Sequence, residues 1–184
     1  MHRRHEIRFE VSDPFGIREI VGRMENRHYS DLLHDGVIPP TTAIHAFRAT
    51  PFFSLNYHYR LTKWLWAGAM VNYAYYKDHT DYGYNLYESR NQHCITLMPE
   101  LRFSYFNRPH LTLYSAIAAG TTLFVGHENS SWEECDGQWW KLSVYPTFQL
   151  TAFGVRAGGE HLFGTFELGA GIKGFASAGI GYAF

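Results

Sequence analysis

The sequence predicts an all-β protein, a closed antiparallel up-and-down transmembrane β-barrel of about eight strands, with a short helical segment in the first long loop. Three observations point there. Apolar and polar residues alternate with period two through most of the chain. Aromatic residues make up 17% of it, with 13 Tyr and 14 Phe. The connections between alternating segments are short and long in turn. Period-two alternation belongs to strands with two chemically different faces, and aromatic enrichment favours strands over helices. Short turns at one rim and long loops at the other are the habit of barrels that cross a membrane.

The first strand runs from His5 to Val11. In the second, Phe53, Leu55, Tyr57 and Tyr59 fall on one face, with Ser54, Asn56, His58 and Arg60 on the other. The tight Arg60 to Lys63 segment leads into Trp64 to Tyr76, where Leu65, Ala67, Ala69, Val71, Tyr73 and Tyr75 share a face. Next, Ile95, Leu97, Pro99, Leu101, Phe103 and Tyr105 oppose Thr96, Met98, Glu100, Arg102 and Ser104. The strand Leu111 to Val125 returns after a short turn at Asn107 to Pro109, and Lys141 to about Ala157 makes the sixth strand. After Gly158 to Glu160, the Gly- and Ala-rich end supplies two more strands, with Leu162, Phe166, Leu168, Ala170 and Ile172 expected outward in the first of them. The connections 12–42, 77–91 and 126–137 are predicted as long loops, and the one around Lys173 to Phe175 is nearly absent.

The 184 residues suit one domain over 1–184, and 16 basic against 17 acidic residues leave no field to recruit nucleic acid. The longest apolar stretch, Trp64 to Val71, is far short of the roughly 20 residues a membrane helix needs. The opening MHRRHEIRFE has no apolar core or small-residue cleavage site, so a mature or trimmed form is expected.

Period two does not by itself say which face meets water. A soluble barrel would carry many Lys and Glu residues outside. Here the polar face is mostly Gly, Ala, Ser, Thr, Asn and Gln with isolated charges, which suits a crowded lumen. Trp64 and Tyr75, eleven residues apart on one strand and so about 27 Å apart along the barrel axis once the strand is tilted, fit aromatic girdles at both edges of an apolar band. Tyr57, Tyr59, Tyr105, Tyr182 and Phe184 are expected in the short-turn girdle, and Tyr73, Trp139 and Trp140 in the other.

The ending Ala178-Gly-Ile-Gly-Tyr-Ala-Phe184 resembles the last strand of outer-membrane proteins. That resemblance implies that Tyr182 and Phe184 form the C-terminal signal read by the barrel-insertion machinery. Through Tyr57-His-Tyr-Arg-Leu-Thr-Lys-Trp-Leu65, Leu113-Tyr-Ser115 and Phe148-Gln-Leu-Thr151, the whole chain resembles small outer-membrane β-barrel proteins of the Bacteroidetes type. They are similar in architecture to the OmpA/OmpX-like eight-stranded barrels. The resemblance implies the outer membrane of a Gram-negative envelope, with its lipid and the insertion machinery as partners, and it carries no catalytic motif.

The inward register holds Glu6, Arg8, Glu10, Arg48, Glu100, Arg102, Lys141 and Glu167, four acids and four bases. Ionisable groups at membrane depth must pair or reach water. We expect a lumenal salt-bridge network, with an ion pathway as the alternative. Cys94 and Cys135 are candidates for a disulfide in an oxidising compartment, or are two separate thiols. His79, His93 and His127 lack a diagnostic metal spacing, and no cofactor is expected. Ile17, Ile20, Val21 and Met24 have helical spacing. Pro51, Pro99 and Pro146 remove ladder donors, so bulges are expected there. The function these features imply is a non-enzymatic barrel with an occluded lumen and surface loops serving interaction or envelope integrity. The alternatives are a lipid-modifying enzyme and a passage for small hydrophobic molecules.

Overall fold

The computed structural model describes residues 4–16, 44–83, 86–130 and 139–184. Among them run nine strands: β1 (His5–Ser12), β2 (Ile44–Ala49), β3 (Phe52–Arg60), β4 (Leu65–Gly83), β5 (Leu86–Arg108), β6 (Leu111–Ser130), β7 (Trp139–Gly158), β8 (Leu162–Gly171) and β9 (Ala176–Ala183). Every neighbour is antiparallel. Because β1 pairs with both β3 and β9, the sheet closes on itself. β2 and β3 pair with successive stretches of β4 and are two halves of one stave, which makes an eight-stranded barrel.

That stave breaks at Thr50 and Pro51. β2 sets Ala49 against Tyr76 while β3 sets Phe53 against Tyr73, so the broken stave contains one residue more than its partner. Pro51 has no amide hydrogen to give. Thr50 holds the gap, its N–H donating to Tyr75 O at 2.9 Å and its Oγ1 accepting from Tyr75 N at 3.0 Å. The bulge expected at Pro51 is therefore present, but those at Pro99 and Pro146 are not. Leu97↔Thr121 and Glu100↔Ala118 keep one register across Pro99. Pro146 pairs with Thr121 on one side and lies beyond the end of the β8 ladder, which stops at Gln149↔Gly171. The register shifts fall instead at Asp81/Gly83, Ser104/Phe106, Tyr114/Ala116 and Thr151/Phe153.

The faces divide as the alternation predicts. Leu55 and Leu97 are each 56% exposed, whereas Arg8, Asn56 and Thr96 are fully buried. The apolar side chains look outward and the polar ones inward, the reverse of a soluble barrel. Aromatic rings edge this belt at the short-turn rim. His5 stacks on Phe184 with ring centroids 5.4 Å apart and its Nδ1 lies 2.7 Å from Tyr57 Oη, while Trp64 stacks on Phe103. Toward the other rim Tyr73 Oη meets His93 Nδ1 at 3.0 Å. The side chains of Trp139 and Trp140 lie outside the described residues.

Two of the expected loops are largely strand. β4 and β5 stay paired from Leu65↔Phe103 to Gly83↔Leu86, and β6 and β7 reach Glu128↔Trp139. Backbone ladder bonds hold these extensions even where the residues are polar on both faces and give no period-two signal. β4 to β7 are 19, 23, 20 and 20 residues long. A 20-residue strand at the usual rise and tilt stands about 50 Å tall, against an apolar band of roughly 25 Å. β1, β8 and β9 are only 8 to 10 residues, while the stave of β2 and β3 climbs beside β4 as far as Ile44↔Asp81, so five staves stand well above the other three. The helical segment expected around Ile17, Ile20, Val21 and Met24 falls outside the described residues, and the described elements are all strands.

Candidate functional site

The charged layer of the interior is built by alternate residues of strands all round the wall. On β1, Glu6, Arg8 and Glu10 follow one another at period two and all point inward, buried to 2% exposure or less. β3 contributes Asn56 and His58, β5 Glu100 and Arg102, β6 Tyr114, β7 Arg156, and β8 Thr165 and Glu167. The chain alternates so that each of these lies on the face away from the apolar belt.

Arg8 is the hub. Its Nη1 lies 2.9 Å from Glu167 Oε1 and 3.1 Å from Glu10 Oε1, and it donates to Tyr114 Oη at 2.8 Å. Its Nη2 lies 3.4 Å from Glu100 Oε1, which also meets His58 Nε2 at 2.8 Å. Tyr114 passes its own hydroxyl proton toward Glu167 Oε1 at 2.8 Å. Asn56 Nδ2 and Thr165 Oγ1 donate to the Glu10 carboxylate at 2.8 and 3.2 Å. A second group sits nearer the short-turn rim, where Glu6 takes Arg102 Nη2 at 2.6 Å and Arg156 Nε at 3.2 Å.

Lys173 completes the central group from the turn between β8 and β9. Its Nζ lies 2.7 Å from Glu10 Oε2 and 3.0 Å from Glu167 Oε2. The turn folds inward because Gly171 and Gly174 adopt φ of 141° and 79°, conformations that a residue with a Cβ avoids. Lys173 N donates to Gln149 Oε1 at 2.9 Å. Asp13, just past β1, grips the same turn, its Oδ2 accepting from Phe175 N and Ala176 N at 2.8 Å each.

The structure thus brings together Glu6, Arg8, Glu10, Glu100, Arg102 and Glu167. Arg48 does not join them. The extra residue at Thr50 and Pro51 reverses which residues of β2 face in, and Arg48 is exposed opposite Lys77. The Lys141 side chain lies outside the described residues. Lys173 and Arg156 supply further positive charges to the layer, and both were missed by the sequence reading. Only the glycines flanking Lys173 hinted that its turn does something unusual. Ile172 is also corrected, since the inward turn carries it off the lipid face and buries it to 1% exposure.

Above the charges, toward the long-strand rim, lies an apolar layer of Phe52, Met70, Ala74, Tyr76, Met98, Phe124 and Ile172, together with Cys94 and Ala118. Thr96, Thr122 and Thr147 link hydroxyls across it at 2.8 and 3.1 Å. Cys94 is a buried thiol in this layer, and Cys135 lies outside the described residues.

No protein-family model matches the sequence, and no curated protein matches it. Among solved structures, the chain is similar to the N-terminal β-barrel domain of Pseudomonas aeruginosa OprF, at 12% identity and a TM-score of 0.44. It is also similar to Ail, the attachment invasion locus protein of Yersinia pestis, solved with the heparin analogue sucrose octasulfate, at 11% identity and a TM-score of 0.43. Both likenesses cover 100% of each chain.

Chemically, the charged layer is an arrangement of compensation. Each carboxylate is held by a guanidinium or ammonium, and Glu10 and Glu167 by neutral donors as well, as buried charges require. Among the described residues no group of three or more His, Cys, Asp or Glu side chains is placed to hold a metal ion.

Proposed function

We propose that the chain is a non-enzymatic barrel of the bacterial outer membrane whose lumen is closed to ions, and that its tall rim serves surface interaction or envelope integrity. One observation carries this reading: Glu6, Glu10, Glu100 and Glu167 are matched inside the wall by Arg8, Arg102, Arg156 and Lys173. An ion pathway needs groups free to exchange partners with the permeant ion, and these are committed to one another. The apolar layer above them adds a second barrier. Membrane lipid surrounds the belt, and the insertion machinery is the partner during assembly, with Tyr182 and Phe184 as its signal. Planar-bilayer recording of the purified barrel tests the reading. The expected trace stays at baseline apart from rare openings, and a large, steady conductance overturns it.

A second reading has one observation in its favour. A recess of about 380 Å³ lined by Phe15, Pro146, Phe148, Ile172 and Phe175 opens at the wall, beside β7 where the β8 ladder ends. A passage for small hydrophobic molecules would begin there. Uptake of a fluorescent fatty acid by cells bearing Phe148→Glu, compared with the unaltered chain, distinguishes it; equal uptake removes the passage.

A further inference from the structure

At the short-turn mouth the lumen widens into a recess of about 340 Å³. Its walls carry Arg60, Arg102, Arg108 and Arg156 against two carboxylates, Glu6 and Glu160. Glu6 is shared between Arg102 and Arg156, and Glu160 is exposed at the edge. The mouth is therefore cationic within a chain of nearly balanced charge.

Arg102 is the unusual member. It is 2% exposed and sandwiched between Trp66, 4.6 Å from its guanidinium carbon to the ring centroid, and Tyr114, at 5.1 Å. Stacking between two rings fixes the guanidinium plane. Its Nη2 is spent on Glu6, but Nε and Nη1 have no hydrogen-bond partner among the described residues. Ser104, the next inward residue on β5, also lines the recess and has an unpartnered buried hydroxyl. Leaving charged donors buried and unmet is costly. Water would satisfy the donors but would bring no counter-charge to the excess of guanidinium groups.

We propose that this recess binds a phosphate-type oxyanion, with Arg102 and Ser104 as its inner donors and Arg60, Arg108 and Arg156 setting the field. An oxyanion accepts several charge-assisted hydrogen bonds at once and neutralises the mouth, which neither water nor chloride does as fully. The recess lies inside the rim and away from the apolar belt, so a soluble phosphoryl group has readier access than a lipid head group. The site stands apart from the question of conduction, because it needs only the mouth and not the closed layer above it.

The test uses the full chain folded in an uncharged maltoside detergent without phosphate. Inorganic phosphate is titrated at constant ionic strength against chloride, with binding followed by calorimetry and by the thermal unfolding midpoint. A parallel arm places the barrel in phosphatidylcholine vesicles with and without phosphatidylglycerol. Saturable binding of inorganic phosphate is expected, weakened about tenfold or more by Arg102→Lys, which keeps a cation for Glu6 but removes the two free donors, and less strongly by Ser104→Ala and Arg108→Gln. Arg108 is exposed at the rim, so its variant keeps the test decisive if Arg102→Lys fails to fold. A response to phosphatidylglycerol alone, lost in the same variants, would assign the same donors to a lipid phosphoryl group. Phosphate effects equal to those of chloride in both arms, or unchanged in every variant that folds, overturn the proposal.

Discussion

Replacing Lys173 with methionine probes the charged layer at its most sensitive point. The change keeps a flexible side chain of similar reach and leaves the backbone bond from residue 173 to Gln149 in place. What disappears is the ammonium 2.7 Å from Glu10 and 3.0 Å from Glu167. Arg8 then becomes the one described cation touching Glu10, Glu100 and Glu167. Coulomb attraction at 3 Å with an effective dielectric constant of 20 is about 5 kcal/mol per contact before desolvation is subtracted. Removing one partner of a buried pair costs about 3–5 kcal/mol in practice, and we expect Lys173→Met to fall in that range. Adding Glu167→Gln restores the balance of charge while an amide oxygen still faces Arg8 and Tyr114, so the double variant should recover about half the loss. Equilibrium urea unfolding in lipid vesicles, read by heat-modifiable gel mobility, measures both. A Lys173→Met barrel within about 0.5 kcal/mol of the parent, or a double variant whose loss is the full sum of the singles, would refute the reasoning.

Other outcomes follow from the same contacts. Glu6→Ala and Arg102→Ala should show a coupling of about 0.5–3 kcal/mol in a double-mutant cycle because they are direct partners. Glu100→Ala and Arg102→Ala, which hold different partners, should come closer to additivity; the reverse order of couplings in unfolding experiments would break the assignment. A Cβ on Gly154 would meet the Tyr114 ring at 2.4 Å and one on Gly181 the Phe163 ring at 2.3 Å, whereas Gly164 has 3.8 Å of clearance. Gly154→Ala and Gly181→Ala should therefore each cost about 1–3 kcal/mol and Gly164→Ala much less, a ranking that unfolding midpoints check. Removing Phe184, which stacks on His5 and Tyr182, should lower the yield of heat-modifiable barrel in outer-membrane fractions; an equal yield would show that the last residue carries no assembly signal.

Much of the wall was legible because alternation is a local property. Phe53, Leu55, Leu97 and Leu101 could be assigned to the apolar face from their neighbours alone, and the structure turns all four outward. Arg48 was misplaced because one extra residue at Thr50 and Pro51 inverts the pattern beyond it, and no local count reveals which way a bulge resets the parity. Lys173 was invisible for a different reason. It lies in a turn, where period two ends, and its direction depends on Gly171 and Gly174 adopting positive φ. The pairing inside the lumen was beyond the sequence altogether. Glu100 and Arg102 are near neighbours in the chain, yet their partners are His58 and Arg8 for one and Glu6 for the other, contacts that only closure of the sheet creates.

The seam where the chain's two ends meet acquires a particular importance from this wiring. β1 joins β9 from Glu6↔Ala183 to Ser12↔Ser177, and the charges of β1 reach past that seam to Glu167 on β8 and to Lys173 in the following turn. In a sheet still open along β1 and β9, Arg8 and Glu10 would sit at a raw edge, parted from both. Zipping the last ladder and extinguishing the stranded charges are then a single event. A half-zipped sheet gains little, so the final step should behave as a snap rather than a gradual closing, and the same joint should resist prying by the bilayer until nearly all of it gives way together.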